Sequence, residues 1–360
     1  MKRWVFRLSI VAAVLLLALV NKVYDTQIPS GQLRSERLDN IQPDWPGNAI
    51  DQKDRFINDE FPFLLKTFLL VKWQLSANEF GSEKRSDNYR PTVRDPRPFL
   101  DSEDDGILWL GHASFYIRLN GVGILTDPIF GTPTFFNRIA DVPSQFEHIR
   151  KVDYVLLSHD HRDHMDEASL RAVAQKFPNA AFLGGLRSED VFNDWKTPSN
   201  KVFTAGWFQK FDVSSKDLNI YFHPVRHWSQ RFVMDVNWRL WGAYVIETDK
   251  ATIYFGGDSG YGRHYREVAE LHPKIEYFLI GIGAYEPRWF MEPNHNNPQE
   301  ALQAFADSKA KVMIPMHYGT FDLSDEPPGD PLRTLLKTAE EKGMGDRIRP
   351  IDINDSIPLQ

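Results

Sequence analysis

Three histidines and two aspartates fill five of the six positions of the segment HDHRDH, residues 159–164, which follows an apolar run. In an extended chain His159 and His161 point to the same side, because side chains alternate with period two, whereas Asp163 and His164 fall in the next turn. Imidazole nitrogens and carboxylate oxygens are zinc ligands, and this spacing can serve two adjacent ions from one loop. A polar turn that caps the next helix would explain one histidine but not three.

The partners of this segment are expected at the ends of other strands, where sites at a sheet edge are built. Three side chains in the second half of the chain occupy such positions: His227, Asp258 and His317. Together with the histidine-rich segment they complete the donor set of a two-metal site.

Short apolar runs alternate with helical patterns from residue 107 onward. The sequence predicts three strands within 107–127 and further strands at 153–159, 219–225, 242–248, 252–258, 277–283 and 311–317. It predicts helices at 167–177, 263–271, 298–308 and 330–342, the third with Pro298 in its first turn. Antiparallel meanders mixed with strand–helix units are typical of an α+β or layered sandwich fold.

The N-terminus begins with Lys2, Arg3 and Arg7 and continues as an apolar run to residue 20. No cleavage site with small residues follows, so residues 1–20 are predicted to be an uncleaved membrane anchor rather than a cleaved signal peptide or a buried helix. The basic flank then places the rest of the chain on the non-cytoplasmic, periplasmic or extracellular side.

Residues 21–105 are predicted to be a linker and a wrapping extension, of which 21–54 read as linker. A helix near 61–76 has a wide apolar stripe, which suits either a cover for the main core or a position on the membrane surface. The main domain is predicted to span residues 106–360.

The 360-residue chain has no cysteine, a formal net charge of −7, 42% hydrophobic and 25% charged residues. The missing cysteines exclude disulfides, thiolate metal sites and a cysteine nucleophile. Mild acidity without a long basic run argues against nucleic acid as a partner.

The order of the seven candidate ligands is similar to that of the metallo-β-lactamase superfamily. Within it, eight strings resemble the N-acyl-phosphatidylethanolamine-hydrolysing phospholipase D family: WLGHAS (109–114), LTDPIF (125–130), LSHDHRDHMD (157–166), HW (227–228), LWG (240–242), GDSGY (257–261), IGAYEPRWFM (282–291) and HYGTF (317–321). The resemblance implies a four-layer αββα sandwich behind the N-terminal anchor, and a homodimer.

The resemblance also implies roles for single residues. His159, His161 and His227 would hold one Zn²⁺, Asp163, His164 and His317 a second, and Asp258 would bridge the two. Outside the ligands, the expected roles are a brace for the metal loop at Asp127, a supporting or structural role at His112, and a place beside the reacting phosphate for His295. Asp163, Asp258 and His295 are the expected catalytic residues.

Charge counting points to an anionic substrate. Two Zn²⁺ ions, two carboxylates and one bridging hydroxide leave one positive charge, which suits a phosphodiester better than a neutral amide. The expected reaction is phospholipase D-type hydrolysis of N-acyl-phosphatidylethanolamine at a membrane by the bridging hydroxide. Contacts to the phospholipid are expected from Arg231, Arg239, Arg288 and Trp289, although ordinary surface ion pairs explain the arginines equally well.

Two other functions fit the same residues. The fold could act as a zinc lactonase or other acyl hydrolase of the cell envelope, attacking carbon rather than phosphorus. A non-catalytic envelope protein that keeps its metal for structure is disfavoured, because no ligand position is missing.

Overall fold

The structure is a computed structural model that describes residues 27–60, 72–73, 75–134, 136–142, 145–195, 202–215, 217–232 and 234–359. The anchor predicted at 1–20 and most of the helix predicted near 61–76 lie outside these residues. No helix within the described ranges is long and apolar enough to cross a bilayer.

The described strands and helices follow one another along the chain with short connections. The strands are β1 (Pro29–Leu33), β2 (Asn48–Asp51), β3 (Gly106–Gly111), β4 (Ser114–Leu119), β5 (Val122–Thr126), β6 (Asn137–Arg138), β7 (Tyr154–Leu156), β8 (Ala181–Gly185), β9 (Val202–Ala205), β10 (Gln209–Lys210), β11 (Asn219–His223), β12 (Ala243–Glu247), β13 (Thr252–Phe255), β14 (Tyr277–Gly281), β15 (Val312–Met316), β16 (Phe321–Asp322) and β17 (Ser356–Pro358). The helices are α1 (Gly81–Ser86), α2 (Arg97–Leu100), α3 (Gln145–His148), α4 (Glu167–Lys176), α5 (Glu189–Trp195), α6 (His264–Leu271), α7 (Arg288–Met291), α8 (Pro298–Ser308) and α9 (Asp330–Glu341), with a 3₁₀ turn at Gly345–Arg347.

Two mixed sheets form the centre of the domain. One has the strand order β17-β3-β4-β5-β7-β8-β9 and the other β10-β11-β12-β13-β14-β15. In each sheet the first pairings are antiparallel and the last are parallel, from β5 onward in the first sheet and from β13 onward in the second. The parallel strands therefore end at a common edge of each sheet, where their following loops meet.

Strand β3 shows how the layers are built. Ile107 and Trp109 belong to the core shared by the two sheets, whereas Leu108 and Leu110 belong to a second core with helices α4 and α5. This alternation follows from the period of two along a strand buried on both faces. On the outer face of the other sheet, Tyr265 of α6 and Phe305 of α8 pack against Phe278 of β14, and Leu335 of α9 belongs to the same apolar cluster.

These layers are helix, sheet, sheet and helix, so the predicted αββα sandwich is confirmed. The strands predicted from residue 107 onward and the helices predicted at 167–177, 263–271, 298–308 and 330–342 are present with ends within three residues of those expected. Pro298 stands at the start of α8, as predicted, behind a capping box formed by Asn297 and Glu300. The sequence did not predict the strands β1, β2, β6, β8, β9, β10, β16 and β17 or the short helices α1, α2, α3, α5 and α7.

Residues 27–60 lie against the domain, and part of the stretch predicted to be a linker is ordered as strands. β1 and β2 pair with each other, and the side chains of Ile50 and Phe56 join the shared core. The amide of Asn58 donates to the backbone oxygen of His227 at 2.6 Å. The stretch predicted to be a linker, 21–54, thus contains two short paired strands in its described part.

Asp87 connects the N-terminal extension to the start of helix α9. Its carboxylate accepts hydrogen bonds from the backbone of Tyr89 and Gly329, at 2.9 Å each, and from Nη2 of Arg333 at 2.8 Å. The hydrogen bond from Arg333 is the main cause that lowers the pKa of Asp87 from 3.8 to about 2.

We expect Asp87→Asn to lower the free energy of unfolding at pH 7 by about 1–2 kcal/mol, because the charged hydrogen bonds are lost. Since the folded pKa lies below the unfolded one, the carboxylate stabilises the fold above pH 3.8, and this stabilisation disappears as the pH falls towards 2. Urea unfolding between pH 7 and 2.5 tests this, with the exposed Asp346→Asn as control. A difference from wild type that stays constant with pH would contradict the assignment.

Candidate metal centre

The histidine-rich loop connects β7 to α4. The backbone N–H groups of His164 and Met165 both donate to the oxygen of His161, at 3.1 and 2.8 Å, which closes a turn. Asp166 then caps α4 by accepting from the backbone N–H of Ser169. The turn carries Asp163 and His164 past the extended residues, as the spacing predicts.

The first group of donors contains His159, His161 and His227. Nδ1 of His161 lies 2.8 Å from Nε2 of His159 and 3.3 Å from Nε2 of His227. The three nitrogens face one another although they come from the loops after β7 and β11, on different sheets.

The second group contains Asp163, His164 and His317, with His112 beside it. Nε2 of His164 lies 3.3 Å from Nε2 of His317, and Oδ2 of Asp163 lies 3.6 and 3.7 Å from these two nitrogens. Nε2 of His112 is 3.2 Å from the same carboxylate oxygen. His112 thus supports Asp163 and also lies close enough to serve as a fourth donor.

Asp258 lies between the two groups. Its Oδ2 is 3.1 Å from Nε2 of His164, 3.9 Å from Nε2 of His227 and 4.0 Å from Nε2 of His159, while its Oδ1 is 3.1 Å from Nε2 of His317. The structure therefore brings all seven residues of the expected ligand set together at one edge of the two sheets.

Hydrogen bonds on the far side of three rings determine which nitrogen faces the centre. Nδ1 of His164 lies 2.8 Å from Asp127, Nδ1 of His227 lies 3.1 Å from the backbone oxygen of Asn294, and Nδ1 of His159 lies 2.9 Å from the hydroxyl of Ser158. A neutral imidazole that donates from Nδ1 presents a lone pair at Nε2. All three Nε2 atoms point into the site, which is the arrangement that metal binding requires.

The histidines of the two donor groups differ in the direction of their pKa shifts. Burial lowers the pKa of His159 and His227 well below the usual value and that of His161 to about 4, so these rings are neutral at pH 7. Burial opposes the charge on His164 and His317 as well, but the carboxylates of Asp258 and Asp163 raise the pKa of His317 to about 9 and that of His164 well above its usual value.

The donor set fits a divalent metal. Three neutral imidazoles in one group, and two imidazoles with a carboxylate in the other, are the ligands that zinc takes. Oδ1 of Asp258 is buried, and its 3.1 Å contact with Nε2 of His317 does not have hydrogen-bond geometry. A cation would use the acceptor capacity that this buried oxygen leaves unfilled.

Asp127 braces the loop from behind. Its carboxylate accepts from the hydroxyl and the backbone N–H of Ser158, at 2.5 and 2.8 Å, besides the contact with His164. Asp127 is fully buried directly after β5, so it fixes both the loop and one ring of the second group.

His295 lies above the centre. Its Nδ1 is 3.8 Å from Oδ2 of Asp258, and its ring centroid is 5.4 Å from those of His227 and His317. Burial lowers its pKa to about 4, so the ring is neutral at pH 7 and carries one N–H donor.

Two of the arginines expected to contact a phospholipid do not face solvent. Nη1 of Arg231 donates to the backbone oxygens of Met165 and Asp160, at 2.5 and 3.3 Å, and Nη1 of Arg239 pairs with the carboxylate of Asp160 at 3.1 Å. Both side chains are at most 7% exposed. The substrate-contact expectation for Arg231 and Arg239 is corrected: both hold the histidine-rich loop from its buried side.

The other two expected contacts lie nearer the surface. Arg288 pairs with Glu300 and also reaches the backbone oxygen of His295, at 3.2 Å. Trp289 is 44% exposed, and Nζ of Lys72 lies 4.4 Å from its ring centroid.

The sequence reading missed residues that shape the surroundings of the site. The ring of Trp228 lies 4.5 Å from that of His161, and Trp73, from the N-terminal extension, stacks on Phe290 at 5.3 Å. Both tryptophans pack on one small apolar cluster, formed by Phe290 and Met291. The HW string pointed to Trp228, but no local signal could place Trp73 beside it.

Similarity to known proteins agrees with this geometry. Residues 123–318 match the family model described as "Beta-lactamase superfamily domain". An uncharacterised protein of Mycobacterium tuberculosis strain H37Rv is 32% identical over 286 residues, which cover 75% of this chain and 73% of the mycobacterial protein. The N-acyl-phosphatidylethanolamine-hydrolyzing phospholipase D 1 of Caenorhabditis elegans is 29% identical over 302 residues, covering 78% of this chain and 84% of the worm protein.

A solved structure shares the fold. The metallo hydrolase Igni18 from Ignicoccus hospitalis matches 71% of this chain and 98% of its own with a TM-score of 0.54, at 21% identity. The chain therefore belongs to the beta-lactamase superfamily. Within it, the fold and the clustered donors define a metal-dependent hydrolase.

We expect Asp127→Ala to weaken zinc binding about 10- to 100-fold, because His164 loses the partner that orients its ring. Competition with a chromophoric chelator measures this, and the exposed Asp212→Ala is the matched control. Asp127→Asn keeps the shape of the side chain, so its zinc affinity is expected to lie between that of Asp127→Ala and that of the control. Unchanged zinc affinity in a natively folded Asp127→Ala protein would refute the bracing role.

Proposed function

We propose that the protein is a zinc-dependent phosphodiesterase of the phospholipase D type, which hydrolyses N-acyl-phosphatidylethanolamine to phosphatidic acid and N-acylethanolamine. The observation that carries the proposal is the position of Asp258 between two groups of metal donors. The similarity to the worm phospholipase along 84% of its length supports the choice of substrate.

Two Zn²⁺ ions would fit the donors: His159, His161 and His227 would hold one, Asp163, His164 and His317 would hold the other, and Asp258 lies where it could serve both. When bound, such ions lower the pKa of water and stabilise negative charge that develops on a phosphoryl group.

The side chains around the centre supply charge and hydrogen bonds. Burial opposes ionisation of Asp163 and Asp258, but the neighbouring histidines hold the pKa of both carboxyls well below the usual range, so both are anionic. Neutral His295 can donate its N–H to an oxygen of the phosphodiester. In the net reaction water oxygen bonds to phosphorus, the bond from phosphorus to the ethanolamine oxygen breaks, and that oxygen takes up a proton.

Apolar and cationic side chains near the site support a lipid substrate. Phe232 and Met234, on the loop after Trp228, are 47% and 79% exposed, and Trp289, in helix α7, is 44% exposed with Lys72 against its ring. Exposed aromatic and long apolar side chains, one of them beside a cation, suit the boundary between lipid headgroups and acyl chains. A membrane anchor at residues 1–20, a non-cytoplasmic location and a homodimer complete the proposal.

We expect the purified, zinc-loaded protein to release phosphatidic acid and N-acylethanolamine in equal amounts from N-acyl-phosphatidylethanolamine vesicles, and to stop after chelation until zinc is restored. Mass spectrometry of both products measures this. An acyl lactone and a chromogenic phosphodiester, bis(4-nitrophenyl) phosphate, serve as comparison substrates. Turnover of the lactone alone would favour the acyl hydrolase reading and overturn the phospholipase proposal.

We expect His295→Gln to lower kcat about 100-fold without changing the zinc content, because one hydrogen-bond donor to the reacting group is displaced. Steady-state kinetics and elemental analysis of the same sample measure both quantities. His148→Gln, at the end of α3, is the control. An unchanged kcat would remove His295 from the catalytic residues.

A further inference from the structure

Arg288 occupies a fixed place between two structural elements. Its Nη2 lies 2.8 and 2.9 Å from the two carboxylate oxygens of Glu300, and its Nη1 donates to the backbone oxygen of His295 at 3.2 Å. The guanidinium therefore links the start of α7, the first turn of α8 and the segment between them.

Glu300 is itself held in place by the capping box of α8. Its Oε2 accepts from the backbone N–H of Asn297 at 3.0 Å, and the side chain of Asn297 accepts from the backbone N–H of Glu300 at 2.8 Å. The carboxylate that binds Arg288 is thus a rigid part of the helix start.

The segment held in this way touches the metal centre at three successive residues. The backbone oxygen of Asn294 accepts from Nδ1 of His227, His295 lies beside Asp258, and the backbone N–H of Asn296 donates to the oxygen of Ser259 at 2.8 Å. Any movement of the segment would shift a ligand ring and the candidate hydrogen-bond donor together.

A second carboxylate holds the other end of the loop. The buried Glu326 accepts from the backbone N–H groups of Ala284, Tyr285 and Glu286, at 2.7, 3.3 and 3.0 Å. The path from β14 to α8 is therefore anchored before Arg288 by Glu326 and after it by Glu300.

We propose that Arg288 and Glu300 form a clamp that positions His295 and the partner of His227, and that Arg288 is not a contact for the substrate phosphate. The proposal rests on the proposed function, since it concerns the same site. The fork geometry of arginine is essential, because one side chain must bind a carboxylate and a carbonyl oxygen at the same time. Lysine, a single point charge, cannot reproduce this arrangement.

The test compares Arg288→Gln, Arg288→Lys and Glu300→Gln in the zinc-loaded, full-length protein. The clamp predicts that kcat falls about 10- to 100-fold in Arg288→Gln and Arg288→Lys and clearly in Glu300→Gln, with KM within about twofold of wild type. A phosphate contact predicts the opposite pattern: a raised KM in Arg288→Gln, rescue by lysine and no effect of Glu300→Gln, and this pattern would overturn the clamp. Arg266→Gln, whose partner Asp307 lies on the outer helices, is the control.

A second measurement does not depend on turnover. The metal-free variants are titrated with zinc against a chelator, and the clamp predicts weaker binding in Glu300→Gln and Arg288→Gln, since Asn294 no longer fixes the ring of His227. Unchanged zinc affinity in both variants would overturn the clamp. If Arg288→Gln does not fold, Glu300→Gln alone distinguishes the clamp from a phosphate contact. This variant removes the clamp but keeps the arginine, which could still bind a phosphate.

The two proposals can fail separately. Kinetics are measured with N-acyl-phosphatidylethanolamine and with bis(4-nitrophenyl) phosphate. A wild-type protein that cleaves only the chromogenic diester would sink the lipid assignment, while the pattern among the variants would still decide the clamp.

Discussion

Three buried carboxylates, those of Asp127, Asp163 and Asp258, lie within one site, and the structure depends on balancing their charge. Each is at most 8% exposed, so water cannot solvate it fully. Isolated charges in such a place are costly, and they persist only with close partners. Histidine rings surround them, and a divalent cation is the partner that the same rings and carboxylates suit.

The carboxylates and the histidines that balance their charge come from both sheets. The histidine-rich loop and Asp127 follow strands of one sheet, whereas His227, Asp258 and His317 follow strands of the other. The donors converge only because the two sheets share one close-packed core, which fixes the separation of their edges. Packing far from the site is therefore what holds the ligands within reach of one another.

Much of this could be predicted from the sequence. The apolar runs that end in His or Asp have a clear period, so the strand ends and the seven converging residues follow from local pattern. Strand β8 was missed because AFLGG is short and rich in glycine, and β1 and β2 because they read as polar loops. The roles of Arg231 and Arg239 could not be predicted, since their partners on the histidine-rich loop lie 66 to 79 residues away in the chain.

The hydrogen bond from Asn58 to the backbone of His227 connects the N-terminal extension to one of the candidate metal ligands. A shortened protein that starts at β3 would keep all seven donors and yet lose a fixed point behind one of them, together with the buried ring of Phe56. Residues 50–58 are thus part of the scaffold behind the donors, and a cut made just before β3 would remove support from the site without removing any of its seven side chains.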